Sequence, residues 1–319
     1  MEYKHIPVLY NEVIKTLNIK SDGIYFDATL GGGGHSEGIL KSIDQGYLYA
    51  TDKDQDALRA ADERLSAYRG KYRLIHSDFR DFISLTDAKF DGIIADLGIS
   101  SHQIDSPERG FSYIADGRLD MRMDDSGGIS AYEVVNTYPQ GELARILREY
   151  GEEKFASSIA RTIAERRKSK PIESTLELAA LVEKCYPAKL RYKSGNPAKQ
   201  TFQAIRIEVN RELTGLDKFI YDCVSHLKTG GRLCVITFHS LEDRIVKNAF
   251  KYLEADCICD KRAPVCVCGK VKEVVSLYKK PLTASKKEIA ENKRAQSAKL
   301  RAVEKIEDKS EKSDKGGTL

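Results

Sequence analysis

Residues 27–36 read DATLGGGGHS, four consecutive glycines between an apolar run and a histidine. A flexible linker, a phosphate cradle and a close-fitting ligand wall would each use such a run, and the flanking sequence separates them. Before it, GIYFDAT (23–29) is apolar and β-rich; after it, 36–43 suits a helix. Glycines between a strand and a helix permit a tight turn and let the backbone approach a ligand closely. The pattern then recurs, with strand YLYATD (47–52), a helix over 54–68, strand YRLIHSD (72–78) and strand FDGIIAD (90–96). Strands alternating with helical segments of this length indicate βαβ units and a parallel sheet, hence an α/β fold.

Open sheets of this kind bind ligands at the carboxyl ends of their strands. Asp52 ends the second strand, where a carboxylate can receive ribose hydroxyls. The competing role for an acid in TDKDQDAL is a helix cap, for which Asp54 is the other candidate. GGGGHS ends in Ser where G-x-G-x-x-G needs Gly or Ala, and no Lys-Ser or Lys-Thr follows, so neither the dinucleotide fingerprint nor the P-loop is matched. Asp27, just before the loop, would repel a pyrophosphate but suits the ammonium and sulfonium of S-adenosylmethionine. The fourth strand ends at Asp96 and runs into the turn LGISS, the place of the acid–turn motif in amino-methyltransferases. An exocyclic amine on a pyrimidine or purine is a weak nucleophile because its lone pair delocalises into the ring. Acceptors on its N–H groups localise that pair, and in-line displacement then depends mostly on positioning. The alternative for Asp96 is a simple turn cap.

Length and composition set the frame. At about 150 residues per domain, 319 residues allow two domains or one with a large insertion. The hydrophobic share of 41% and charged share of 31% are those of an ordinary globular chain. MEYKHIPVLYNEVIKTL (1–17) has no secretory h-region, and no apolar run approaches the roughly 20 residues of a membrane span. Seven cysteines, an odd count without a disulfide framework, fit a reducing compartment. The expectation is a cytoplasmic protein without membrane association. A homodimer is compatible with the sequence, and nothing in it requires one.

The alternation of strand and helix breaks over 105–197, which carries helical patterns such as GELARILREYGEEKFASSIARTIAERRKSKPI and STLELAALVEKCYP. The expected organisation is therefore a sheet domain over 1–104 and 198–301, a helical insertion over 105–197, and a disordered tail over 302–319, where charges of both signs alternate without an apolar period. TFQAIRIEVNRELTGLDKFIYDCVSHLKTGG is read as one long amphipathic helix stopped by Gly230 and Gly231, followed by strand RLCVITF (232–238), helix SLEDRIVKNAFKYLE and a terminal hairpin turning at Gly269-Lys270. Two basic stripes stand out. Residues 184–207 hold six basic side chains and no acid, interleaved with Tyr186, Tyr192 and Phe202; residues 278–301 hold eight basic side chains and two acids. Such stripes suit a phosphate backbone, and equally a solvated face.

The runs HIPVLYNEVI, DATLGGGGHS, DLGISSHQID, RGFSYIADGRLDMRM, YGEEKFASSIARTI, NPAKQTFQAIRIEVNREL, GGRLCVITFHSLEDRIVK and RAQSAKLR, in that order over about 4–301, together resemble the RsmH (MraW) family of bacterial 16S rRNA cytosine-N4 methyltransferases. The resemblance implies a class I, Rossmann-like S-adenosylmethionine-dependent methyltransferase fold with an inserted helical domain. It implies methylation at N4 of cytosine 1402 of 16S rRNA, in the decoding region of the small ribosomal subunit. Carried over by motif, the cofactor residues are Gly33, Gly34, His35, Asp52, Phe79, Asp96 and Gln103. The chain departs from the family's common pattern at Asn196 and Gln200.

Three further features are left. TFHSLEDR follows a strand and opens a helix, so His239, Asp243 and Arg244 are candidates for base or phosphate contact, with His239 joining Asp96 as a catalytic candidate; the alternative is a Ser240 cap and a surface ion pair. Arg109, Phe111, Asp120 and Arg122 are candidates for the substrate entrance, Phe111 by stacking on a base or, equally, as a core residue. Cys257, Cys259, Cys266 and Cys268 form C-x-C-x6-C-x-C, which can hold a structural zinc ion, although C-x2-C is the commoner spacing; the alternative is a hairpin carrying small apolar side chains.

Overall fold

The computed structural model describes residues 7–191, 195–260 and 265–307. Two compact units divide the chain, one made of residues 1–98 and 215–319 and the other of residues 99–214.

The first unit is built on a seven-stranded sheet in the order β3-β2-β1-β4-β5-β7-β6. Its elements are α1 (Tyr10–Leu17), β1 (Ile24–Asp27), α2 (Gly34–Ser42), β2 (Tyr47–Asp52), α3 (Gln55–Leu65), β3 (Tyr72–His76), α4 (Phe79–Leu85) and β4 (Phe90–Asp96). β1 to β4 are parallel neighbours, and β5 (Leu227–Thr237) joins β4 in parallel. β7 (Lys299–Lys305) runs antiparallel to both β5 and β6 (Val274–Ser276). This is the class I methyltransferase order. The central strands read as apolar runs because both sheet faces are covered: six of the seven β4 residues are buried, and only Asp96 at the carboxyl end is partly open. One core cluster packs Phe26, Phe90, Ile93 and Val235 against Phe219, Val246 and Phe250; the other packs Tyr25, Leu48, Ile94 and Ile236 against Val13, Leu17, Ile39 and Leu65.

The unit of residues 99–214 contains α5 (Ser101–Asp105), α6 (Ala131–Thr137), α7 (Gln140–Glu149), α8 (Ala156–Arg166), α9 (Thr175–Lys184) and α10 (Ala198–Asn210). Its core joins Val134, Leu143, Ile146, Ile159, Ile163, Leu178, Phe202 and Ile205.

Four expectations are corrected. The long helix expected from Thr201 is two helices. α10 ends where Arg211 turns left-handed at φ 50° and belongs to the helical unit, and α11 (Leu216–His226) begins after Gly215 at φ 69° in the sheet unit. β5 starts at Leu227 and runs through the two glycines. The start of the expected tail, 302–305, is strand: Leu300, Ala302 and Val303 are buried, and Glu304 is neutralised by Arg232 at 2.8 Å. The charges that suggested disorder are thus side chains of a paired strand; residues 308–319 lie outside those described. The terminal hairpin is also absent, because β6 pairs with β7 and residues 265–273 form no strand. The remaining helices are α12 (Ser240–Glu254) and α13 (Lys286–Glu291). Among the described residues no helix is long and apolar enough to cross a membrane.

The break between α10 and α11 rests on a backbone turn. Gly215 is left-handed, with open space where a Cβ would stand. Gly215→Ala is therefore expected to destabilise the protein by about 1 kcal/mol through conformation alone. Urea denaturation monitored by circular dichroism measures it; unchanged stability would show that the turn tolerates a side chain.

Candidate active site

The carboxyl ends of β1, β2 and β4 bring Asp27, Asp52 and Asp96 to one edge of the sheet. The glycine run forms the turn from β1 into α2. Gly33 is the helix N-cap at φ 73°, a conformation that favours glycine. A Cβ on Gly34 would fall 2.2 Å from Cγ of Pro7, so that position is glycine because another segment packs directly against it.

Asp52 secures this turn. Its Oδ2 accepts the Gly31 N–H at 2.8 Å and its Oδ1 accepts the Asp54 N–H at 2.9 Å. Burial pushes its carboxyl up to about 6, against the opposing pull of those two amides. Asp54 is the α3 cap, accepting from the Asp56 N–H at 2.9 Å, so the two acids of TDKDQDAL have separate roles.

Asp27 is only 1% exposed, and its oxygens accept from Ser36 Oγ at 2.7 Å and the Thr29 N–H at 3.1 Å. Burial raises its carboxyl above the usual range. It stands behind the loop and organises it, whereas the sequence suggested that it faces a cationic ligand directly.

Asp96 is better placed for contact. Its backbone N–H donates to Thr29 Oγ1 at 2.6 Å, which fixes the residue in place. Its Oδ2 lies 3.6 Å from Nε2 of His35, and its Oδ1 is buried without a hydrogen-bond partner. Both ring nitrogens of His35, itself 6% exposed, likewise lack hydrogen-bond partners. Tyr10 stacks on the His35 ring with centroids 6.3 Å apart. Unsatisfied buried polar atoms are costly, and three of them in adjacent residues mark a place prepared for a polar ligand. Tyr10 and Thr29 were not singled out in the sequence; neither carries a spacing signal.

Phe79 opens α4 after β3. Its ring packs 4.4 Å from that of Phe219, under the Arg80 guanidinium at 5.2 Å. Asp78 caps this helix; although burial opposes it, Arg80 and Lys53 hold its carboxyl at about 2.

His239 caps α12, the role the sequence offered to Ser240. Its Nδ1 accepts from the Glu242 N–H at 3.4 Å, and its Nε2 lies 3.1 Å from Glu242 Oε1. With Phe238, Ser240 and Lys299 it also lines a cavity of about 270 Å³. Asp243 is committed elsewhere: Arg301 Nε donates to it at 2.7 Å and Lys299 Nζ at 3.3 Å. Burial works against its ionisation, but Arg301 and Lys299 hold its carboxyl below the usual range. This ties α12 to β7, in place of the expected base or phosphate contact. Arg244 is exposed.

The other candidates lie in the helical unit. Gln103 is 4% exposed, and its Oε1 accepts the Ser100 N–H at 3.0 Å in a capping box of α5. Phe111 is buried in that unit's core, so the base-stacking alternative gives way to the packing one. Arg109 donates to the carbonyls of Arg122 and Met123, each at 3.0 Å, and Arg122 forks onto Asp120 at 2.9 and 2.8 Å. These three build a loop. Of the first basic stripe, Lys184, Lys189 and Lys199 are exposed and Arg206 is paired with Glu212 at 2.8 Å, while Tyr192 and Lys193 lie outside the described residues.

Comparison with known proteins places the chain in a family. The model of the MraW methylase family matches residues 2–306. The chain belongs to the MraW methylase family. Three relatives bear the name Ribosomal RNA small subunit methyltransferase H. That of Clostridioides difficile is 51% identical over 96% of this chain and 100% of its own. That of Carboxydothermus hydrogenoformans is 52% identical over 96% and 99%, and that of Caldicellulosiruptor saccharolyticus 52% over 95% and 100%. In this MraW methylase the contact between Asp243 and β7 is structural. Asp243→Ala, and nearly as much Asp243→Asn, is expected to lower stability by about 1–3 kcal/mol in urea denaturation; wild-type stability in both variants would return Asp243 to the list of substrate contacts.

Proposed function

We propose that this MraW methylase transfers the methyl group of S-adenosylmethionine to N4 of cytosine 1402 in 16S rRNA, within the small ribosomal subunit in the cytoplasm. The observation that carries the reading is the unsatisfied trio at the sheet edge, Asp96 Oδ1 and the two ring nitrogens of His35, beside a glycine turn secured by Asp52. The names of the relatives supply the substrate class.

The residues fit the cofactor. When bound, S-adenosylmethionine supplies an electrophilic methyl group on a sulfonium. Gly33, Gly34 and His35 would wall its cationic end, Asp52 would accept the ribose hydroxyls and Phe79 would stand near the adenine. Asp96, the acid of the edge whose Oδ1 has no partner, would accept an N–H of the target amine and turn its lone pair outward. A cytosine in a stacked helix cannot present its amine this way, so the base must leave the stack. His239, which lines a cavity at the carboxyl end of β5, is the second residue assigned to the target side. Lys279, Lys280, Lys286, Lys287 and Lys293 are exposed on the sheet unit, a stripe suited to RNA phosphates.

Labelled methyl transfer to small subunits lacking the modification, followed by nucleoside analysis, tests the proposal. The expected product is N4-methylcytidine, and Asp96→Ala is expected to lose at least about a thousandfold in rate with the fold retained. Label on adenosine or on a ring carbon of cytidine, or a preference for duplex DNA, would overturn the reading; full activity of the variant would overturn the role of Asp96.

Asp52 sets a pH dependence. Hydroxyl donors from a ligand favour its carboxylate, so binding releases a proton wherever the free protein holds one. Cofactor affinity measured by calorimetry is expected to be flat above about pH 7 and to fall towards tenfold per unit below about pH 6. Asp52→Asn is expected to bind weakly at every pH without that slope; a wild-type affinity that does not change through this range would exclude Asp52 as a ligand contact.

A further inference from the structure

We infer that Cys257, Cys259, Cys266 and Cys268 hold one zinc ion as four thiolates, at a structural site independent of methyl transfer. The four sulfurs converge. Cys257 and Cys266 are 3.4 Å apart, Cys266 and Cys268 3.5 Å, Cys257 and Cys268 3.7 Å, and Cys259 and Cys266 3.9 Å. All four lie within 4.8 Å of one another. A tetrahedron with zinc–sulfur bonds of about 2.3 Å has edges of about 3.8 Å. A disulfide needs a separation of about 2.05 Å, so these contacts are not disulfides. A multi-iron cluster divides its four thiolates between two or four irons and so spreads the sulfurs more widely than one ion does. Four sulfurs and no oxygen select against magnesium and calcium.

Backbone geometry supports the same site. The Ile258 N–H points at the sulfur of Cys268 and the Cys259 N–H at that of Cys257, each at 3.4 Å. Such donors stabilise thiolate charge.

Among the described residues, the contacts that hold this segment lie at its base and at Lys270, whose ammonium sits over the Tyr252 ring and donates to Glu273 at 2.7 Å. The excursion leaves α12 and returns at β6, closed at its base by the Glu273 N–H to the Leu253 carbonyl at 2.9 Å and by Ser276 on Glu254 at 2.9 and 2.7 Å. Beyond that base Ile258, Val265, Val267 and Val271 are all exposed. Burial therefore cannot account for the convergence of four cysteines, two of them exposed and two half-buried. Thiol–thiol contacts are weak. A zinc ion supplies the missing energy by closing the loop on itself.

Elemental analysis of the full chain, purified without chelators or a polyhistidine tag, tests this. The expected content is about one zinc per chain. Stepwise addition of an organomercurial is expected to release that zinc, read with a metallochromic dye, as the cysteines react. Cobalt(II) exchanged into the site is expected to show thiolate charge-transfer absorption and the d–d bands of a tetrahedral ion. Cys257→Ser and Cys266→Ser are each expected to lose the metal and to become susceptible to protease cleavage within 254–273. Zinc far below one equivalent, with all four thiols freely reactive in the native protein, would overturn the assignment, as would a disulfide among the four or iron in place of zinc. The wild-type measurements stand even if a variant fails to fold.

Discussion

The clasp between Asp52 and the Gly31 amide is the interaction on which the sheet edge depends. A parallel sheet delivers the ends of β1 and β2 side by side, but it does not fix the loops that leave them. One carboxylate does both jobs here, receiving Gly31 on one oxygen and Asp54 on the other. The glycine turn is thereby locked to the neighbouring strand, Gly33 can take its left-handed conformation, and Gly34 can sit against Pro7. The His35 ring, one residue on, is then carried to within 3.6 Å of Asp96.

The same clasp explains how three acids coexist at one edge. Like charges in a low-dielectric setting repel strongly. Burial lifts both Asp27 and Asp52, which eases that repulsion, and Ser36, Thr29 and two backbone amides take up their lone pairs. Of these three acids, only Asp96 keeps a buried oxygen without a hydrogen-bond partner. The edge therefore holds one acid that is unsatisfied, set among acids that are not. An arrangement of this kind suits a cation or an N–H donor and disfavours a phosphate, which is the electrostatic basis for preferring S-adenosylmethionine to a dinucleotide.

Much of the sheet was legible because its determinants are local. Apolar runs ending in acids mark β1, β2 and β4, and glycines between strand and helix mark the turn. What was not legible depends on partners distant in sequence. Nothing near Arg211 announces a left-handed non-glycine residue, so α10 and α11 read as one helix. AVEK (302–305) read as the start of a polar tail because Arg232, which neutralises Glu304, is 72 residues away, and Asp243 meets Arg301 of the same strand across 58. His239 looked like a cleft residue for the same reason that it caps α12: both roles favour a polar side chain at the end of a strand. Phe111 had no signal to separate stacking from packing, and only the core of the helical unit decided it.

Those distant ion pairs also bear on how the basic stripes are to be read. A count of charges treats every lysine and arginine as available to RNA. In the stripe over 278–301, Lys299 and Arg301 are bound to Asp243 and hold α12 to β7. In the stripe over 184–207, Arg206 is bound to Glu212. A cation already paired with a carboxylate gains little from a phosphate, because the carboxylate must then be left behind. Electrostatic binding should therefore come from the exposed lysines, Lys279 to Lys293 in one unit and Lys184, Lys189 and Lys199 in the other. These are point charges on flexible stems rather than planar forks. Such groups attract a phosphate backbone without reading its sequence, so any selectivity for one base has to come from other groups.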